Sequence, residues 1–361
     1  MTIDPTPLRD LTRSIFAAAG SANEESDDIA SHLVEANLTG HDSHGVIRIA
    51  PYLELKNAGK ILPDRRIDLS VDAGALVVVD GMKGYGQPVA RQAIDVGIER
   101  AIQHGVAVIG IRNTAHLGRI GAWAEQAAAA GLISLHFVNT TGAGIRVAPF
   151  GGSDARLSVN PIAMGVPRPG TDPIIHDMST GVIAAGKVRV AANKGAQLPE
   201  GCIIDGHGRP SVEPADLFGD PPGALLPLGG DVGGHKGYGL AIFCEVLAGA
   251  LTGGGSSHPD NPDTDRLVNN MLSILIDPDR LAGRDVIAQD LDRLTAWLRA
   301  SKPLDPNGDI LMPGEPERRM RAKREAEGIP LDDNTLDQIR GAARGVGVSE
   351  DVVEAGLVTI T

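Results

Sequence analysis

Apolar residues recur at three- and four-residue intervals along much of this chain, the spacing of amphipathic helices. Leu8, Leu11, Ile15 and Phe16 define a first helix, with Gly20 as its stop, and Ile29, Leu33, Val34 and Leu38 a second, capped by Asn23 or Ser26. Residues 7–39 therefore read as a helix pair. The polar run His41-Asp42-Ser43-His44-Gly45 breaks the period, which resumes over 46–58. The run 75–79 closes on Asp80-Gly81 as a strand into a turn. Helix 87–104, strand 106–111, helix 118–130 and strand 132–138 follow. Segment 139–172 is rich in Gly and Pro and winds through short strands. A strand at 174–178 and a helix at 180–190 come next, then mostly loop over 195–235. The pattern predicts a buried helix at 236–251, a strand at 272–276, and helices at 285–301, 315–327, 332–345 and 349–357. The glycine run at 253–257 and its polar continuation predict a surface loop. Taken alone, the strand–helix alternation would fit a parallel sheet.

Composition narrows the function classes. With 361 residues and 42% hydrophobic positions, the chain can bury a large core, as two domains or one elaborated domain. Its net charge of −13 opposes binding to phosphate polymers or anionic membranes. Cys202 and Cys244 are the only cysteines, too few for a disulfide framework or a CxxC zinc site. No secretory leader pattern and no bilayer-length apolar run is visible, so the expected location is the cytoplasm.

Nucleotide and hydrolase motifs are missing. Gly84-Tyr85-Gly86 and Gly142-Ala143-Gly144 both lack the third glycine of GxGxxG, and there is no GxxxxGK[ST], HExxH or GxSxG. Five polar constellations remain. His44 with Arg48 pairs a group that exchanges protons near neutral pH with a fork for a carboxylate, the needs of a 2-hydroxy acid. The competing reading is a helix cap from Asp42 or Ser43. The segment 113–119, containing His116, Gly118 and Arg119, follows a strand and opens a helix, where backbone N–H groups attract anions. Taken alone, an ordinary strand–helix turn is the better reading of it. Asp177, at a strand end, could orient a histidine or cap the following helix. His235 and Lys236 lie in a glycine-rich segment suited to a phosphate. Pro313, Gly314 and Glu315 precede a helix whose outer arginines read as a solvated basic face. A metal-hydrolase reading on His41, Asp42 and His44 finds no further ligand set.

Together these segments resemble the type-2 malate/L-lactate dehydrogenase family, the non-Rossmann NAD(P)-dependent 2-hydroxyacid oxidoreductases. The match runs almost end to end: GHDSHGVIRIAPYL, AHLGRIGAWAEQAA, VAPFGG, SVNP, DMST, GKVRVA, GHKGYGLA and LMPGEPERRMRAKREAEGIPL. The resemblance implies an α/β fold of α+β type, with a mostly antiparallel central sheet and helices from both termini packed together. It implies an N-terminal helical segment 1–70 packed with a C-terminal one, 285–361, around a central NAD(P)-binding and catalytic domain, 71–284. The implied activity interconverts 2-oxo and 2-hydroxy acids, of malate, lactate or hydroxycarboxylate dehydrogenase type. NAD is the implied cofactor, with NADP open, in a homodimer without metal, nucleic acid or membrane partners. Carried over residue by residue, His44 is the proton donor/acceptor with His116 as its rival, Asp177 its charge partner and Arg48 the carboxylate anchor. Ser43, Arg48, Tyr52 and His116 would face the substrate. The cofactor would touch His44, Gly118, Arg119, Ile120, Ile175, His176, Asp177, Met178, Ser179, His235, Lys236, Asn269, Pro313, Gly314 and Glu315. Two alternatives stay open: a cyclic-imine (ketimine) reductase of the same family, and a non-catalytic dinucleotide- or metabolite-binding protein.

Overall fold

The computed structural model describes residues 1–142, 144–261 and 266–360. Strand β1 (Thr2–Ile3) leads into helices α1 (Pro5–Ala18) and α2 (Asn23–Leu38). The Asp4 side chain caps α1 by accepting the Thr6 N–H at 2.9 Å, and Pro5 costs nothing where no intrahelical donor is needed. Two 3₁₀ turns, Asp42–His44 and Val46–Arg48, carry the polar run into α3 (Ile49–Asn57).

The middle of the chain runs β2 (Asp68–Ala73), β3 (Leu76–Asp80), α4 (Gly86–His104), β4 (Val106–Thr114), α5 (Gly121–Ala129), β5 (Ile133–Gly142), β6 (Ile162–Val166), β7 (Ile174–Met178) and α6 (Ala185–Lys194). Short strands β8 (Ile203–Ile204), β9 (Pro210–Ser211) and β10 (Ala224–Leu225) form a small sheet before α7 (Gly230–Cys244). A π-helical turn, Glu245–Ala250, extends α7, and β11 (Leu267–Ile276) follows. The chain ends with α8 (Arg284–Arg299), α9 (Glu315–Glu327), β12 (Ile329–Pro330), α10 (Asp333–Gly345) and α11 (Glu350–Gly356).

The main sheet has the order β2-β3-β4-β11-β5-β6-β7, and only β3 and β4 pair in parallel. The strand–helix alternation misleads for one reason. β4 and β5 run in the same direction, as a β-α-β unit requires, but β11 lies between them and is antiparallel to both. The fold is thus the mixed, mostly antiparallel one that the family resemblance implied. α4 and α5 bury Ile94 and Trp123 against sheet residues Ile109, Ile111 and Leu275.

The two ends of the chain share a second core. Leu8, Phe16, Ile29 and Leu33 pack with Ile329, Leu336, Ile339 and Val353, and β1 pairs with β12 through Ile3 and Ile329. A cluster of this size, removed from water at about 25 cal/mol per Å², ties N- and C-terminal helices into one body.

Several local expectations change. β2 was not anticipated, although Leu69, Val71 and Ala73 alternate with polar residues; all six of its residues are exposed. The helix expected at 180–190 starts only at Ala185, since Thr180 donates its N–H and hydroxyl to the Val159 carbonyl and Val182 its N–H to the Leu226 carbonyl. α7 starts at Gly230, and the segment 236–251 is buried on one face only: Ala241, Cys244 and Ala248 are buried, while Phe243 is 60% and Leu251 63% exposed. A helix apolar on all sides looks buried in sequence whether or not a neighbour covers it. The glycine run at 253–257 is packed, not a free surface loop. A Cβ at Gly254 would overlap the Asn270 side chain, and Ser257 donates its N–H and hydroxyl to Glu245, each at 2.9 Å. Residues 262–265 of its continuation lie outside the described residues.

Candidate active site

The segment 41–45 is held from both sides. Asn37, near the end of α2, accepts the Val46 N–H at 2.8 Å and donates to Asp42 at 2.7 Å. Gly45 is required here by space: a Cβ would overlap the Asn37 amide. Asp42 also receives Arg324 of α9, through both guanidinium nitrogens at 2.6 and 3.0 Å. A bidentate fork fixes orientation as well as distance. Arg324 is therefore a structural clamp, and the reading of α9 as a solvated basic face does not hold for it. Arg318 likewise donates to the Pro173 carbonyl, and Arg321 pairs with Glu35.

This frame brings His44 and His116 together, their rings stacked with centroids 5.3 Å apart. His44 Nδ1 contacts the Ser43 hydroxyl at 3.0 Å, and Ser43 in turn packs under Gly186 in the first turn of α6. Arg48 donates its Nε to the Ser43 carbonyl at 2.7 Å. Its terminal nitrogens make no hydrogen bond or ion pair with the described residues, so the fork is free for an anion. Tyr52 of α3 places its hydroxyl 2.7 Å from His116 Nδ1 and accepts a hydrogen bond from Gln87 Nε2 at 2.9 Å.

Burial and the Arg48 charge both disfavour a second cation here. They push His44 down to about 3 and hold His116 well below the ordinary histidine range. Both rings are neutral near pH 7. Burial raises the Tyr52 phenol to about 12, so it keeps its proton.

Asp177 does not meet His44. Its carboxylate accepts the Gly121 N–H at 2.7 Å at the start of α5, and it makes no hydrogen bond with either histidine of the pair. Burial raises its pKa above the usual carboxylate value, against the opposing pull of His41, the Gly121 N–H and Arg119. The role of charge partner to His44 thus has no contact behind it here.

Asp177 lines a cleft of about 180 Å³ together with Arg119, Ile175, Gly314 and Glu317. Three of the sequence-marked segments meet at this cleft. Gly118 adopts φ +75° and leaves no room for a Cβ beside His32, whose Nε2 accepts the Arg119 N–H at 2.9 Å. Gly314 adopts φ +91° against Ile175, and the Ile175 N–H donates to the Pro313 carbonyl at 3.2 Å. Arg119 is 2% exposed, pairs with Glu125 and leaves its Nε without a partner. Two glycines in left-handed backbone and a buried guanidinium with a spare donor fit a phosphate-bearing or ribose-bearing ligand. Glu315, the first residue of α9, instead accepts the Met312 N–H at 2.8 Å and pairs with Arg299.

Other marked residues lie elsewhere. His176 is exposed on β7, opposite Met164, and Met178 pairs with Ile162. The Ser179 hydroxyl donates to the Gly181 carbonyl. His235 and Lys236 are exposed on α7, with the His235 ring edge-on to Phe150 at 5.7 Å. Asn269 is 3% exposed and fully engaged. It accepts the Leu117 N–H at 2.9 Å and donates to Thr140 and to the Asn139 carbonyl. Sequence reasoning missed Asn37, Gln87, His32 and Arg324. Each is an ordinary residue on a helix, and only tertiary neighbours reveal its part. Among the described residues no His/Cys/Asp/Glu group has metal-site geometry, and no helix is long and apolar enough to cross a membrane.

The family model for malate/L-lactate dehydrogenase matches residues 3–340. The chain belongs to the malate/L-lactate dehydrogenase family. It is 41% identical over 354 residues to hydroxycarboxylate dehydrogenase B of Escherichia coli K12, covering 98% of this chain and 96% of that one. It is 39% identical over 324 residues to an L-lactate dehydrogenase of Cupriavidus necator, covering 90% and 92%. The solved structure of Δ1-piperideine-2-carboxylate reductase from Pseudomonas syringae superposes with a TM-score of 0.82 at 33% identity, covering 95% and 100%. Family membership makes the chain an oxidoreductase of the 2-hydroxyacid dehydrogenase type, in a pyridine-nucleotide-dependent group.

Proposed function

We propose that this enzyme interconverts 2-oxo and 2-hydroxy acids at the stacked pair His44–His116, with His116 as the acid/base and Arg48 as the carboxylate anchor. The observation that carries the reading is the free Arg48 fork beside two neutral imidazoles, one of them tied through Tyr52 to Gln87. When bound, the nicotinamide supplies or accepts the hydride at C2 of the substrate.

The residues of the chain do the rest. Arg48 holds the carboxylate by two parallel hydrogen bonds and so fixes C2 and its oxygen over the histidines. During oxidation the hydroxyl proton passes to His116 as the C2 hydride leaves and the carbonyl forms. During reduction the same nitrogen returns a proton to the carbonyl oxygen. A carboxylate on Arg48 cancels part of the field that depresses both imidazoles, so substrate binding itself raises their proton affinity. His44 stacks on His116 and, with Ser43, closes the other side of the site.

NAD suits the cleft better than NADP. Each arginine that lines it is already paired, Arg119 with Glu125, Arg321 with Glu35 and Arg318 with Asp172, so no fork is left for a 2′-phosphate. Carboxylates such as Glu35 and Asp177 suit ribose hydroxyls instead. Segments 118–120, 175–177 and 313–314 are the proposed cofactor contacts, and the terminal helical segments with the 71–284 core the proposed functional division. The exposed apolar stripe Leu240, Phe243, Val246 and Leu251 supports a homodimer through α7. A cytoplasmic location fits the two buried, unpaired cysteines.

The deciding experiment is a panel of 2-oxo acids and cyclic imino acids with NADH and NADPH, followed by cofactor absorbance. Turnover of oxo acids with NADH supports the proposal. Turnover of cyclic imines alone would move the chain to the reductase reading, and turnover of neither would sink both.

A further inference from the structure

Gln87 sits at the start of α4, 1% exposed, and its amide is satisfied at one end only. Nε2 donates to the Tyr52 hydroxyl at 2.9 Å, while Oε1 is buried without a partner. Turning the amide by half a rotation would place Oε1 on Tyr52 and leave the NH₂ group in the same empty spot. Neither orientation satisfies both ends, so the surroundings do not pin it.

The orientation has a consequence two groups away. With Nε2 on Tyr52, the phenol oxygen is an acceptor, and its own proton points to His116 Nδ1, 2.7 Å off. Nδ1 is then an acceptor, and the neutral ring must carry its proton on Nε2. With Oε1 on Tyr52, the phenol proton turns to the amide, and the phenol oxygen accepts from Nδ1–H. Nε2 then offers a lone pair. A ring that is to take an alcohol proton on Nε2, or to return it, needs this second arrangement.

We propose that the Gln87 amide is a two-position selector of the His116 tautomer, presenting the substrate with a donor in one position and a proton acceptor in the other. Gln87 acts through Tyr52 and is a positioning residue. Glutamine suits the task because its donor and acceptor ends exchange places without moving a heavy atom far. This deepens the proposed function and rests on His116 being its acid/base. The groups that face His116 are Arg48 and His44 from the 3₁₀ turns, His32 from α2 and Tyr52 from α3. All but Tyr52 are cationic or become so on protonation, and among the described residues the Tyr52 hydroxyl has no hydrogen-bond partner besides His116 and Gln87.

The test separates tautomer from turnover. Histidine-labelled protein gives the protonated nitrogen of His116 by long-range ¹H–¹⁵N spectra, assigned with His116→Asn. Gln87→Glu, at a pH where its carboxyl is ionised, offers only an acceptor to Tyr52 and should fix the Nδ1–H tautomer. Gln87→Met offers neither, leaves Nδ1 as the phenol's only acceptor, and should fix Nε2–H. The same tautomer in both variants overturns the proposal. In kinetics, Gln87→Glu should carry the acid limb of the kcat/KM profile for hydroxy-acid oxidation upward by about one pH unit. Gln87→Met should lower kcat by about ten- to a hundredfold with little change in KM, because Arg48 is untouched. A fall in both variants with no change of limb means a structural role only, and overturns it. Should neither variant fold, the wild-type spectrum decides: a ring held as Nδ1–H throughout rules out the selector. Since the spectra need no turnover, an enzyme inactive on every 2-oxo acid would refute the proposed function and leave the tautomer result standing.

Discussion

Gly45→Ala is the substitution whose cost follows most directly from the structure. Gly45 has φ −88°, so alanine brings no backbone strain. The damage is steric, because the added Cβ overlaps the Asn37 amide. Moving that amide breaks its bonds to Val46 N–H and Asp42, each worth about 1 kcal/mol net. It also strands a donor on Val46, which is fully buried, at about 1–3 kcal/mol. The loss should total about 3–5 kcal/mol. With an unfolding entropy near 2.1 cal/mol/K per residue, that is roughly 4–7 °C in Tm for a chain of this length. The functional loss should exceed the thermal one. The same segment aims His44 and Arg48, and a displacement of about 1 Å can cost about a hundredfold in rate. The assays are calorimetry and kcat/KM on the best 2-oxo acid with NADH. In an Asn37→Ala background the substitution should cost far less, as expected of two groups in one contact. A Gly45→Ala enzyme with wild-type Tm and kcat/KM would refute the argument, as would full additivity with Asn37→Ala.

Four further outcomes are expected. Arg48→Lys should lower kcat/KM for oxo acids by about ten- to a hundredfold, the loss of one charge-assisted hydrogen bond, while NADH titration stays unchanged. Asn269→Leu should reduce kcat more than cofactor affinity, since its amide holds the Leu117 N–H beside His116; a loss confined to NADH binding would contradict this. His136 is fully buried between the Ser134 and Ser273 hydroxyls and depressed to about 3, so the folded state refuses a proton that the unfolded chain accepts. Its contribution is present above about pH 6.5 and is lost as pH falls from there toward 3, by about 1.4 kcal/mol per pH unit; His136→Phe should flatten the acid side of the Tm–pH curve. Phe243→Asp on the exposed stripe of α7 should yield monomers in sedimentation, and an intact dimer would move the interface elsewhere.

How much of this was legible in the chain depends on where each signal resides. Helix α9 appears where the spacing predicts it, because Pro313-Gly314 before it and Gly328 after it are local signals. The order of strands in the sheet was not legible in periodicity. β11 enters between β4 and β5 from more than a hundred residues away, and nothing near either strand records it. The site divides in the same way. His44, Arg48 and His116 stand in polar motifs that interrupt apolar patterns, and this made them visible. Gln87 and Asn37 lie within helical runs, where one polar residue looks like solvent-facing surface. Their importance comes from burial, which one sequence does not display. Asp177 stood out for a different reason, a carboxylate at a strand end. Its partner turned out to be a helix N-terminus, because a backbone N–H at that position competes well for a carboxylate.

The clamp between Arg324 and Asp42 joins residues 282 positions apart. Proteins are made from the N-terminus at about 5–20 residues per second, so roughly a quarter of a minute to a minute passes between the two on the ribosome. Throughout that time the segment bearing His44 exists without the cation that orients it. On the roles proposed for His44, His116 and Arg48, catalytic competence is then a property of the finished polypeptide, completed when α9 docks. A chain interrupted before residue 324 would carry both histidines, Arg48 and the whole central sheet, but would hold the 41–45 segment through Asn37 alone.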